Sequence, residues 1–188
     1  IPLGIEFGIV SLQSSTVVAA VNGFVINLIE AVIIVIGVLL LFMGLRSGLI
    51  IGAVLVVTIV GSFIVMDWFG VILQRISLGA LIIALGMLVD NAIVVCEGML
   101  VRIERGDDKL QTARDVVAQN QFPLLGATII AILAFGPIGL SQDNTGEFCR
   151  SLFQVLAISL FTSWVTAITL TPLLCCMLFH ARTTSGGA

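Results

Sequence analysis

Two acids and an amide lie inside a long apolar stretch of the sequence, Ser77 to Met99. Asp90 is near its middle, Asn91 follows directly, and Glu97 comes two helical turns later. A carboxyl group inside the hydrocarbon of a membrane is costly, and it marks a proton or ion pathway more often than a packing position. The low dielectric there favours the neutral form of an acid, which suits a group that must take up and release protons. The pattern predicts proton translocation at Asp90, with Asn91 and Glu97 beside it. Glu97 is closer to the interface, so a solvated acid without a role in the path is an equally good interpretation there.

Glycines share a face with these acids. On an ideal helix of 100° per residue, Gly79, Gly86, Asp90 and Glu97 fall within about 20° of one line, whereas Asn91 points about 100° away. Small residues let helices approach closely in lipid, so Gly79 and Gly86 are predicted helix-packing positions. The same face leaves room near Asp90 for a partner or for water.

The elements that hold these residues are predicted to be membrane-spanning helices. The chain has 188 residues, of which 59% are hydrophobic and 10% charged, and its mean hydropathy is +1.23. These values lie outside the range of soluble domains. Roughly 20 apolar residues cross a bilayer as a helix. The sequence contains five such runs: Phe24 to Leu45, Gly48 to Met66, Ser77 to Met99, Phe122 to Leu140 and Ser151 to Phe179. The predicted fold is an all-α membrane bundle of about five transmembrane helices.

The basic residues predict the orientation of the bundle. Six fall on one side of the five runs, namely Arg46, Arg102, Arg105, Lys109, Arg114 and Arg182, and two on the other, Arg75 and Arg150. The richer side is expected to be cytoplasmic. The charged segment on that side is predicted to form an amphipathic interfacial helix at about 105–120. Its acids balance its bases, so a nucleic-acid partner is not expected.

A second acid lies in the first run. Gly23, Glu30, Gly37 and Gly44 recur every seven residues, which keeps them on one helix face with a drift of about 20° per heptad. This face is predicted to pack against other helices through positions such as Gly37, which would bury Glu30 against protein. Two roles stay open for Glu30: a place in the ion path, or a local packing and snorkelling role.

Hydroxyl groups line one side of the last run, at Ser159, Thr162, Ser163, Thr166 and Thr169. Such a stripe either carries water or, more often, hydrogen-bonds to carbonyls of its own helix. The four cysteines form no Cys-x-x-Cys pair and are interpreted as small apolar residues, so neither a metal site nor a cofactor is expected.

An intramembrane aspartyl protease is a different class of protein that also places acids in helices. Such an enzyme needs two carboxyl groups that share a proton and activate water. Here Val89 directly precedes Asp90, where a glycine would be expected, and no second Asp lies at membrane depth. The chain is therefore not expected to be an enzyme.

Several motifs in order resemble the resistance-nodulation-division (RND) transporters, and most closely the hydrophobe/amphiphile multidrug efflux branch. Gly86, Asp90, Ala92-Ile93-Val94-Val95 and Glu97 resemble the fourth transmembrane helix of that family. Leu28 to Ile34 resembles its second helix, and Thr145-Gly146, Arg150 and Leu170 to Cys175 resemble its outer turn and sixth helix. Where many relatives carry a second aspartate, this chain has Asn91, which cannot titrate.

The resemblance implies a fragment with three parts. Residues 1–15 would be the remnant of a periplasmic porter domain, residues 16–179 transmembrane helices two to six, and residues 180–188 a flexible tail. It implies a multi-pass inner-membrane protein that exports drugs by proton antiport, with Asp90 as the proton carrier. The implied partners are membrane lipid, protons, the remaining half of the transporter with a lysine near these acids, a homotrimer, a periplasmic adaptor and an outer-membrane channel.

Two other functions remain open. A related exporter of lipid, metal or protein would use the same proton helix for another cargo. A structural membrane assembly module would need no transport at all and would tolerate the loss of Asp90.

Overall fold

The computed structural model describes residues 13–71, 75–140 and 144–178, with side chains placed for 22–71, 79–139 and 149–178. The described chain consists of four helices: α1 (Gln13–Trp68), α2 (Arg75–Glu104), α3 (Lys109–Leu140) and α4 (Asn144–Leu178). Each contains a segment long and apolar enough to cross a membrane. The predicted all-α membrane bundle is confirmed, and the protein is a multi-pass membrane protein.

Helix α1 is a hairpin that accounts for two of the five predicted crossings. Its 56 residues would extend about 84 Å if straight, far more than a bilayer is thick. The chain reverses at Gly44, whose φ of 81° and ψ of 165° are not helical. A Cβ on Gly48 would lie 2.9 Å from the Leu40 backbone, and one on Gly52 would lie 3.1 Å from Ile36. These contacts are symmetric about Gly44, so a first arm (residues 13–43) and a second arm (45–68) pack antiparallel.

The amphipathic segment predicted at about 105–120 is not a separate helix. After a turn in which Gly106 has a φ of 95°, α3 begins at Lys109 and continues through Pro123 to Leu140. Proline inside a helix is more frequent in membrane bundles than in soluble proteins. The charged segment is therefore a continuous extension of the fourth predicted crossing.

Helices α2 and α4 form the centre of the bundle, since each contacts all three other helices. Fully buried side chains from both helices meet there, including Leu85, Leu88, Val155 and Leu156. Towards the predicted cytoplasmic end, the buried thiols of Cys96 and Cys175 lie 3.8 Å apart. Both are free cysteines, as are the other two.

Two sequence predictions fall largely outside the described residues. Of the proposed porter remnant 1–15, residues 1–12 are not described and residues 13–15 belong to α1. The tail 180–188 is not described.

Candidate functional site

One face of the central helix α2 is open along most of its length. The exposed residues recur at intervals of three or four: Ile83, Gly86, Asp90, Val94, Glu97 and Val101. Positions with this spacing share one side of a helix, while the other sides of α2 are largely buried. We call these six residues the open stripe. Asp90 lies at the middle of the membrane-spanning part of α2, Gly79–Glu104.

Asn91 turns away from the open stripe, as its spacing predicted, and is only 7% exposed. Its Nδ2 donates a hydrogen bond of 3.4 Å to the Oγ of Ser163 in α4. The Ser163 hydroxyl in turn donates to the Leu88 carbonyl at 2.7 Å. Ser163 therefore links α4 to a residue before Asp90, Leu88, and to a residue after it, Asn91. These two bonds fix the rotation of α2 about its axis.

The hydroxyl stripe of α4 divides into two kinds of group. Thr162, Thr166 and Thr169 donate to carbonyls three or four residues earlier in their own helix. The Thr166 hydroxyl also lies 2.7 Å from that of Thr58 in the second arm of α1. Ser159 is fully buried, and its Oγ has no hydrogen-bond partner among the described residues. Most of these hydroxyls thus follow the local hydrogen-bonding interpretation rather than that of a water path.

The heptad spacing predicts that Glu30 and the glycines near it face other helices, but in the structure they are exposed. Glu30 is exposed on the first arm of α1, and a Cβ built on Gly23 or Gly37 would meet no atom of another described residue within 4 Å. The predicted packing of this face therefore has no partner among the described helices and stays a prediction. The arm is instead held by Leu28 and Leu39, which are buried.

Gly79 and Gly86 have the same open surroundings. A Cβ added to either glycine would find no atom within 4 Å, again counting described residues only. Close helix approach occurs at other glycines. A Cβ on Gly98 would lie 3.1 Å from Val116 of α3, and Gly139 lies directly against the ring of Phe153. The predicted packing role of Gly79 and Gly86 therefore has no partner within the described helices.

Charges cluster at the predicted cytoplasmic ends of α2 and α3. Arg102 pairs with Asp115 at 3.2 Å, and it also donates to the side chain of Gln119 at 3.4 Å. Within the described residues, the structure shows this one salt bridge. It lies about three turns from Asp90 along α2, too far for the Arg102 guanidinium to pair with that carboxyl group.

Sequence reasoning placed the acids on one face but did not find the groups that hold that face in position. The sequence marks Ser163 only as one hydroxyl of the stripe on α4, and it gives no signal for Thr58. The signal was weak because hydroxyls bond to their own helix as readily as to another. Only the packing of α2 on α4 shows which hydroxyls bond to their own helix and which bond to a neighbouring helix.

Comparison with known proteins agrees with the arrangement of the motifs. The model of the AcrB/AcrD/AcrF family matches residues 1–187. The chain is 34% identical over 187 residues to multidrug resistance protein MdtC of Yersinia enterocolitica, covering 98% of this chain and 18% of that protein. It is 33% identical over 183 residues to multidrug resistance protein MdtC of Serratia proteamaculans, covering 96% of this chain and 18% of that protein.

The matching region is therefore a small part of each relative. The chain spans about 18% of the length of these curated proteins. Within that region, the match is continuous from end to end, and it includes all four described helices. The chain belongs to the AcrB/AcrD/AcrF family of RND transporters.

Proposed function

We propose that this chain is the proton-coupling part of a drug exporter, in which Asp90 takes up and releases the proton that drives transport. The observation that carries the proposal is the open stripe of α2. A central helix that is buried on its other sides leaves one line of residues uncovered, and that line contains an acid at mid-membrane depth.

An acid in this position has a clear energetic consequence. Exposing a carboxylate to lipid at the bilayer centre costs roughly 3 kcal/mol or more. The stripe is therefore covered by protein beyond the described residues, or it lines a water-filled path. Either arrangement gives protons access to a group whose neutral form is favoured by low-dielectric surroundings. Gly86, one turn before Asp90, leaves space for that approach.

Asn91 and Ser163 act as positioning residues in this proposal. Their hydrogen bonds hold the rotation of α2, so that Asp90 points outward along the stripe. Glu97, about 10 Å nearer the predicted cytoplasm, would exchange the proton with solvent. Glu30 remains a candidate for the same path, because it too is exposed on an apolar helix.

The resemblance to RND transporters implies a larger assembly around this chain. We propose that residues 1–15 continue into a porter domain, that residues 180–188 are a flexible connection, and that the remaining half of the transporter covers the open stripe and supplies a lysine near Asp90. Residence in the inner membrane, a homotrimer, a periplasmic adaptor and an outer-membrane channel are parts of the same proposal. Support comes from the match to multidrug resistance proteins over the whole chain.

The test is dye accumulation in cells that lack their own efflux pumps and express the full-length protein containing this chain. Asp90→Asn keeps the size of the side chain and removes its titration. We expect the variant to accumulate a lipophilic dye to the level of cells without the protein. Asp67→Asn makes the same change at an exposed acid at the end of α1, and it should behave like wild type. Membrane abundance is measured for all variants.

Each result separates the candidate functions. Low accumulation in both wild type and Asp90→Asn would show that the acid is structural and refute the proton role. High accumulation in both would indicate a cargo other than drugs. Proton movement gives a second readout, since adding drug to inside-out vesicles should change their internal pH with wild type and not with Asp90→Asn.

A further inference from the structure

The amphipathic start of α3 leaves a groove against the end of α4. The groove has a volume of about 370 Å³ and is lined by Leu110, Ala113, Arg114, Val117, Ala118, Gln121 and, from α4, Pro172. The α3 residues recur in the pattern of an apolar helix face, and Arg114 lies in the middle of them. Leu110 and Ala118 on this face are exposed, whereas Ala113 packs against the buried core.

Two hydrogen bonds join α3 to α4 near the two ends of the groove and define where it lies along α3. At one end, the Trp164 indole donates to the Gln121 carbonyl at 3.1 Å. At the other, the Lys109 ammonium donates to the Cys176 carbonyl at 3.5 Å. The groove thus runs along the part of α3 just before its apolar run begins at Phe122. The positive-inside rule predicts that this part of α3 lies in the headgroup region on the cytoplasmic side, where six of the eight basic residues fall.

The acidic side chains of this segment do not line the groove. Asp107, Asp108 and Asp115 line a different pocket, and Asp115 is paired with Arg102. Among the described residues, Arg114 is the charged one that lines the groove, while Lys109 and Asp108 both lie near Cys176 of α4. The groove therefore combines an apolar floor with positive charge at the membrane surface.

We infer that this groove binds an anionic phospholipid of the inner leaflet. The phosphate would lie against the Arg114 guanidinium, and the start of an acyl chain would cover Leu110, Val117 and Pro172. Basic pockets between transmembrane helices on the cytoplasmic side recognise anionic headgroups in this way. The inference depends on the membrane position of α3 and not on the proton role of Asp90.

Trp164 provides a local probe for the test. The full chain is reconstituted in phosphatidylcholine vesicles with increasing fractions of phosphatidylglycerol brominated on its acyl chains, which quenches nearby indoles. The signal assigned to Trp164 is the part lost in Trp164→Phe. We expect brominated phosphatidylglycerol to quench it at a lower mole fraction than brominated phosphatidylcholine does.

Variants then test the charge and the shape of the groove separately. Arg114→Gln should raise the mole fraction for half-quenching about fivefold, the effect of about one lost cation near an anionic surface. Arg105→Gln removes a neighbouring exposed arginine that does not line the groove, and it should have no effect. Ala118→Phe, at an exposed lining position, should weaken quenching by filling the groove.

Several outcomes would overturn the inference. Equal quenching by the two lipids would show no anionic site, and equal shifts in Arg114→Gln and Arg105→Gln would show only general surface attraction. Unchanged quenching in Ala118→Phe would mean that the groove is covered by another segment of the chain. Competition by glycerol 1-phosphate would indicate a site for free phosphate instead. Helix content from circular dichroism must be equal in all variants.

Discussion

Ser163→Ala is the substitution that most directly tests how the candidate site is held. Ser163 is 2% exposed, and its Oγ makes two bonds to α2, donating to the Leu88 carbonyl at 2.7 Å and accepting from Asn91 at 3.4 Å. The first bond is short and the second is at the limit of a hydrogen bond. Most of the effect should therefore come from the bond to Leu88.

The expected loss follows from the two bonds. Hydrogen bonds between membrane helices are worth about 0.6 kcal/mol on average and about 1.7 kcal/mol at most. The substitution also removes the bond from Asn91, which is long and therefore worth about 0.5 kcal/mol. We expect Ser163→Ala to lower the free energy of unfolding by about 2 kcal/mol. Because α2 would then be less firmly held beside Asp90, transport by the full-length protein should also fall.

Ser159→Ala is the matched control. It removes the same atom from a buried serine one turn earlier on α4, whose hydroxyl has no hydrogen-bond partner within the described chain. Removing an unsatisfied buried hydroxyl should be neutral or slightly stabilising. Unfolding is measured in mixed micelles of mild detergent and sodium dodecyl sulfate, followed by tryptophan fluorescence.

A double-mutant cycle with Asn91→Ala separates the two bonds. The coupling energy between Asn91 and Ser163 should be about 0.5 kcal/mol, since their contact is long. If Ser159→Ala cost as much as Ser163→Ala, the loss would reflect packing of the helix and not these hydrogen bonds. A neutral Ser163→Ala would refute the proposed role of Ser163 in positioning α2.

Two further predictions concern the turn of α1 and the ion pair between α2 and α3. Gly44→Ala should lower stability by about 1–3 kcal/mol in the same unfolding assay, because its φ of 81° with ψ of 165° is a conformation that only glycine adopts readily. Gly23→Ala, at an exposed helical position of the same arm, should be neutral or stabilising by up to about 1 kcal/mol, and a loss there as large as at Gly44 would contradict the turn argument. Asp115→Asn should cost no more than about 0.5 kcal/mol and less in high salt, since the pair with Arg102 is 31% and 51% exposed and exposed pairs contribute little. A larger effect that salt does not change would show that this pair is protected from solvent in the membrane.

The sequence alone determined the fold class, the number of crossings and the face that Asp90 occupies. Hydrophobic runs of membrane length can only be helices, because no water is present to satisfy an open backbone. The 100° periodicity then placed Asp90 and Glu97 together and Asn91 on another side, and the structure has Asn91 buried and Asp90 exposed. The motif around Asp90 also indicated the family, which the comparisons confirm.

The tertiary structure decided which faces are covered, and the face of Gly23, Glu30 and Gly37 has no packing partner among the described helices. In water, an apolar face implies burial, but in lipid an apolar face and a small-residue face are both stable when exposed. Periodicity therefore cannot tell a lipid-facing side from a packed one. The contacts of Ser163 with Leu88, of Gly48 with Leu40 and of α3 with the end of α4 depend on how whole helices dock. For that reason only the assembled helices show the open stripe of α2 and the groove between α3 and α4.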